Sequence, residues 1–139
     1  MKKLAIILLA LLMALPAYCE EEKAMPAGYV LVSTATQAGW LPLPTEGEQS
    51  FPLVQTLPDG TQSLNVIHLT PEGVWMEEAN CQNQDCVGQG EVTLENRYER
   101  ILSNMIICLP NQVVLQLYSP EETMEMLGEL PGVTEEQEE

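Results

Sequence analysis

Residues 51–78 read FPLVQTLPDGTQSLNVIHLTPEGVWMEE. Three apolar, β-branched runs, Phe51–Leu57, Gln62–Leu69 and Val74–Glu78, are divided by Pro58-Asp59-Gly60 and by Thr70-Pro71-Glu72-Gly73. Proline presets φ and glycine accepts positive φ, so both breaks read as turns. Strand-like runs closed by turns about a dozen residues apart predict a β-meander. Upstream, Tyr29–Thr34 reads as a first strand, and the two prolines of Trp40–Pro44 confine that stretch to a sheet edge. Thr45–Ser50 is a polar turn. Downstream, Asn80–Gly90 is a polar loop, Glu91–Leu94 a short strand, Met105–Cys108 an apolar run and Leu109-Pro110-Asn111 a turn. Gln112–Tyr118 alternates, with Val113, Leu115 and Leu117 on one face and Gln116 and Tyr118 on the other. Ser119-Pro120-Glu121-Glu122 is a helix start: a capping hydroxyl, proline at the first helical position, then acids. That helix is expected to reach Leu127 and stop at Gly128, docking a stripe of Met124 and Leu127.

The ends of the chain are different in character. Lys2 and Lys3 precede an unbroken apolar run of twelve residues, Leu4–Leu15, ended by Pro16. This is too short for a spanning helix, which needs about 20 residues, and it reads as a cleaved export signal. Cleavage after Ala17 or after Cys19 leaves a small residue at the cut. The second also places Ala17 two residues further back and is the favoured site. The bulky Tyr18 argues against Cys19 as a lipidation site. The expected organisation is a signal over 1–19, a flexible lead-in over 20–28, one β-domain over 29–118, a helix over 119–128 and a disordered acidic tail over 129–139. The protein is expected outside the cytoplasm, secreted or in the cell envelope, monomeric and without stable membrane insertion.

All 21 acids of the 139 residues lie from Glu20 onward, and only Lys23, Arg97 and Arg100 oppose them after cleavage. A formal charge of −18 makes nucleic acid or an anionic lipid surface a poor partner, since both are gripped by cations. The chain has one histidine, His68, on a predicted strand with Leu64 and Val66. A lone strand histidine reads as a hydrogen-bonded, partly buried residue. Adjacent acids such as Glu77-Glu78 point to opposite faces of a strand and so do not converge. Asp59 and Asp85 sit in a turn and a loop. No catalytic set and no cofactor is expected. Trp40, Trp75 and Tyr118 read as core or half-core residues, with a binding platform as the alternative.

The cysteine loop and the later turn carry a resemblance. Cys81, four residues, Cys86-Val87, Gly90, then Cys108-Leu109-Pro110-Asn111 before a valine-rich strand closely resembles the NusG domain II family. This is an all-β insert domain of some transcription factors that also occurs alone in small exported bacterial proteins. The resemblance covers about Val30–Tyr118 and implies an all-β domain of that type. The sequence departs from the pattern at Gln82, where proline is common, and at Gly90-Glu91-Val92, where Gly-Trp-Ile is common. The 21 residues between Cys86 and Cys108 also make a longer stretch, with Glu95–Arg100 as the extra. A transcription role is not implied.

Cleavage before Glu20 leaves three cysteines. Cys81 and Cys86 lie in a loop able to turn back for a disulfide, and Cys108 is a possible partner for either. A three-thiolate metal site is the alternative, with His68 as the one candidate fourth ligand. Thiol catalysis is disfavoured by the acids Glu77, Glu78, Asp85 and Glu91 nearby, which raise a thiol's pKa. The leading expectation is a non-enzymatic exported module that binds a protein, with a thiol redox or metal-binding protein as the alternative.

Overall fold

The computed structural model describes residues 23–128. The expected signal and tail therefore lie outside the described residues. Eight strands form two antiparallel four-stranded sheets. The first sheet has the order β2-β1-β8-β7, from β1 (Tyr29–Ser33), β2 (Ala38–Pro42), β7 (Met105–Cys108) and β8 (Val113–Tyr118). The second follows chain order, β3 (Gln49–Thr56), β4 (Gln62–Leu69), β5 (Gly73–Ala79) and β6 (Val92–Thr93). It contains the meander that residues 51–78 predict.

Alternation places one row of each strand inward. In the first sheet Val30 lies opposite Leu117, and Leu115 opposite both Val32 and Ile106. In the second, Ile67 lies opposite Met76 and Leu69 opposite Val74. These side chains form one buried cluster that also includes Cys81, Cys86 and Cys108. Burying each large aliphatic side chain contributes about 1.5–3 kcal/mol, so this shared interior joins the sheets.

The two glycine turns work by different means. Gly60 has φ +84, the left-handed conformation a tight turn needs, and Asp59 accepts the Thr61 N–H and hydroxyl at 2.9 and 2.6 Å. Those Thr61 bonds hold the Asp59 carboxyl below its ordinary pKa. Gly73 is not left-handed; a Cβ there would collide with the Val92 carbonyl, so it is glycine because β6 passes close by. The turn before it is closed by the Thr70 hydroxyl, which accepts the Gly73 N–H at 3.1 Å.

Three local expectations need correction, and the extra stretch Glu95–Arg100 is held in place. The pairing of β4 with β5 shifts between Val66 and Ile67, and this bulge leaves both Glu77 and Glu78 exposed instead of on opposite faces. The polar loop 80–90 contains a short helix, α1 (Asp85–Gly88). Residues 96–98 form a 3-10 turn that is tied down: Arg97 Nη1 donates to Glu122 at 2.6 Å, and Arg100 Nη1 donates to the Ser103 and Met105 carbonyls at 2.8 and 3.0 Å. In the C-terminal helix α2 (Pro120–Gly128), Met124 is 69% exposed, and the buried residue is Thr123. Its hydroxyl donates to the Ser119 carbonyl at 2.8 Å, which tightens the first turn. Ser119 and Glu122 cap each other: Glu122 accepts the Ser119 N–H at 2.8 Å and Ser119 Oγ accepts the Glu122 N–H at 3.2 Å. Among the described residues no helix is long and apolar enough to cross a membrane.

Candidate functional site

The three cysteines converge at one end of the sandwich. After β5, Asn80 bonds back to β4, its Oδ1 accepting the Leu64 N–H at 2.9 Å and its Nδ2 donating to the Gln62 carbonyl at 3.0 Å. Gln84 takes a left-handed conformation, φ +55, and its Nε2 donates to the carbonyls of Ala79 and Cys81, both at 2.6 Å. This folds the loop onto itself and starts α1, which carries Cys86 inward. Cys108 arrives from the end of β7.

The sulfurs of Cys81, Cys86 and Cys108 all lie within 4.8 Å of one another, those of Cys81 and Cys86 at 3.8 Å. A disulfide requires about 2.05 Å, so no disulfide joins the three in this structure, and each is buried. Burial, followed by the neighbouring Cys108 and Cys81 thiols, pushes the Cys86 thiol far above its ordinary pKa. A protonated, buried thiol is a poor nucleophile. A cavity of about 220 Å³ opens beside Cys86 and Cys108, walled in part by Leu102, Ile107, Leu109 and Asp85.

The remaining motif residues build the frame of this centre. Gly90 has φ +75 and Val87 is half-buried against the core. Leu109 is 79% exposed and Pro110 is exposed, both on the cavity rim. Asn111 is buried and spans the two sheets: its Nδ2 reaches the Asn65 Oδ1 at 3.0 Å, the Asn80 Oδ1 at 3.1 Å and the Leu64 carbonyl at 3.3 Å. Gln55 Nε2 donates to the Asn111 carbonyl at 3.0 Å. The residue type alone does not reveal Gln89, whose side chain exchanges two bonds of 2.8 Å with the Ile107 backbone, as a neighbouring strand would. Arg100 Nη2 then holds the Gln89 carbonyl at 2.9 Å.

His68 does not join the cysteines. It lies on the other face of β4, stacked on Trp75 with centroids 4.1 Å apart. Its Nε2 is 3.0 Å from Glu48, and its Nδ1 is 3.2 Å from Glu77 and 3.1 Å from Ser50 Oγ. The Ser50 hydroxyl donates to Glu77 at 2.8 Å, and this bond, with His68 beside it, holds Glu77 below its ordinary pKa. The short Ser50–Glu77 bond commits the hydroxyl hydrogen to a carboxylate, so the imidazole does not activate the serine. The sequence separates these groups by up to 29 residues, from Glu48 to Glu77; strand register and the bulge at Glu77 bring them together. Trp40 meets Tyr118 edge-on at 5.8 Å, so the three large aromatics occupy two places and form no common platform.

A second cavity, of about 250 Å³, is lined by residues of both β2 and β3, edge strands of the two sheets. Trp40, Leu41, Phe51 and Leu53 line it. Phe51 is 42% exposed, and Val54, on the outer face of β3, is 62% exposed.

A family model described as NusG domain II matches residues 4–121. Among solved structures, the chain is similar to a DUF1312 family protein from Enterococcus faecalis. The identity is 17% and the TM-score 0.50, over 67% of this chain and 98% of that one. It is also similar to the crystal structure of the Lin0431 protein from Listeria innocua, with 19% identity, a TM-score of 0.52 and coverage of 67% and 97%. The solution structure of Lin0431 gives the same identity and TM-score over 72% and 81%. At these identities the likeness concerns the fold. A search of curated proteins found no match.

Proposed function

As the chain belongs to the NusG domain II family, we propose that it is an exported, non-enzymatic module that binds an extended, apolar segment of a partner protein. The observation that supports this reading is the flank formed by β2 and β3. These strands leave one side of each sheet unpaired, and the cavity between them presents Trp40, Phe51 and Leu53. An extended peptide gains main-chain hydrogen bonds by adding to a sheet edge, and alternate side chains of it fill apolar pockets. Export accounts for the leader read from the sequence, and the mature protein is expected to begin at Glu20. The acidic surface keeps such a module soluble and monomeric.

The test is photocrosslinking in the exporting cell, with a reactive residue placed at Phe51, at Val54 or at the remote Glu72. One partner species is expected from the two β3 positions and none from Glu72. Equal labelling from all three positions, or none from β3, refutes the reading. N-terminal sequencing of the exported protein checks the cleavage separately.

A second reading, a thiol redox or metal-binding protein, is favoured by the convergence of three sulfurs within 4.8 Å. Thiol counting and metal analysis of the purified protein separate it from the first.

A further inference from the structure

We propose that Cys81, Cys86 and Cys108 form a three-coordinate site for a soft monovalent cation, Cu(I). The inference rests on the metal branch of the second reading and names the ion. Thiolates select soft metals, so the donor set excludes magnesium and calcium. Spacing narrows the choice. A metal–sulfur bond of about 2.3 Å sets sulfurs roughly 3.8 Å apart in a tetrahedral site and about 4.0 Å apart in a planar trigonal one. Here one pair stands at 3.8 Å and none exceeds 4.8 Å, so closing on an ion needs side-chain adjustments below an ångström.

Donor number decides between the soft metals. Zinc sites are usually completed by a fourth ligand. Among the described residues no histidine or carboxylate belongs to this group. His68 is held between Glu48 and Glu77. Asp85, at the cavity wall, is occupied by Asn83, whose Nδ2 donates to it at 3.0 Å. The cavity beside Cys86 and Cys108 is walled mostly by apolar side chains, Leu102, Ile107, Leu109 and Pro110, which leaves a water in a fourth position few partners. Three sulfurs and no fourth donor suit the low coordination number of Cu(I).

The surroundings supply the remaining requirements, a route in and an oriented outer shell. The 220 Å³ cavity reaches Cys86 and Cys108 from the surface. Gln84 Nε2 gives its two hydrogens to the Ala79 and Cys81 carbonyls and so fixes the backbone that carries the Cys81 sulfur. The formal charge of −16 concentrates cations near the protein. On binding, each S–H bond that breaks sends its proton to solvent as a sulfur–copper bond forms. Copper arrives and stays as Cu(I), so no electron is transferred.

The test uses the full chain with Cys19→Ser, purified without oxygen. It is titrated with Cu(I) against a chromophoric Cu(I) chelator, and separately with Zn(II). The expected result is one Cu(I) per chain, an ultraviolet thiolate-to-copper charge-transfer band and an X-ray absorption shell of three sulfurs. Cys108→Ser should weaken binding beyond the roughly 10–100-fold that loss of an outer-shell partner costs, while His68→Gln leaves it unchanged. Cys81→Ser repeats the measurement should Cys108→Ser fail to fold. Stoichiometric zinc, completed by Asp85, overturns the copper assignment and leaves the metal reading standing. Three free thiols that take up neither ion overturn both. One disulfide and one free thiol in protein recovered after export also overturn both.

Discussion

Asn111 offers the sharpest test of how the two sheets are held in register. Its side-chain amide is the donor to Asn65 Oδ1, which sits on a fully buried residue. The other two acceptors have a second donor each: the Leu64 carbonyl takes the Asn80 N–H at 3.1 Å, and Asn80 Oδ1 takes the Leu64 N–H at 2.9 Å. Asn111→Ala therefore leaves one buried amide oxygen without a donor. Such an orphan costs about 1–3 kcal/mol, and the small void adds to it, so a loss of roughly 2–4 kcal/mol is expected. For a domain of this size about 4–8 °C accompanies each kcal/mol, which gives a fall in Tm of roughly 10–30 °C. Asn111→Asp should cost more, because it sets a carboxylate against the same acceptors. Urea unfolding followed by Trp40 and Trp75 fluorescence reads the loss, with an unchanged slope showing that only stability moved. Replacing Asn65 by alanine as well removes the orphan. The double variant should then lose less than the sum of the singles, by about 0.5–3 kcal/mol. Stability of Asn111→Ala within about 0.5 kcal/mol of the parent, or strict additivity, would refute the reasoning.

Gly73→Ala should destabilise by about 1–3 kcal/mol or more, because the new methyl meets the Val92 carbonyl, whereas Gly88→Ala, with open space around it, serves as the control. A thermal melt in which the two behave alike would contradict this account of β6. The Arg97 hydrogen bond holds the Glu122 carboxyl below its ordinary pKa against the pull of burial, followed by the Ser119 N–H and then by the Arg97 charge. A depressed carboxylate contributes stability above its unfolded pKa and loses it as pH falls through the folded value. Glu122→Gln, which keeps the cap, should thus cost about 1 kcal/mol near neutrality, since Glu122 is 38% exposed and screened, and nothing in strong acid. A constant difference between the two proteins from neutral to strongly acid pH would discard the ion pair as its source.

The sequence made the sheets legible where period and turn agree. Gln62–Leu69 reads as one strand between two glycine turns, and β4 has those bounds, with burial alternating along it. Pro42 and Pro44 exclude a central strand, and β2 is an edge. What stayed hidden depends on contacts between distant residues. The bulge at Glu77 is one extra residue in a strand, and alternation gives no sign of it until the pairing is known. Met124 and Leu127 are correctly spaced for a stripe, but Thr123 takes the buried position because its hydroxyl satisfies the Ser119 carbonyl. At the thiol centre, spacing left Cys108 as a possible partner for either cysteine. The fold brings it to both, because Asn111 fixes the turn that follows it. His68 was legible as a hydrogen-bonded strand histidine. Its partners were not, since Glu48, Ser50 and Glu77 come from two other strands or their approach.

The Gln89 side chain, lying along β7 in place of a ninth strand, has a consequence for assembly. With Ile107 satisfied by that amide and Met105 by Arg100, β7 offers no backbone group to a newcomer, while the β2 and β3 flank stays open. In the first sheet, a guest strand received at β2 therefore finds no free backbone group on β7 from which a second molecule could continue the row. That sheet can grow from one edge and not from both.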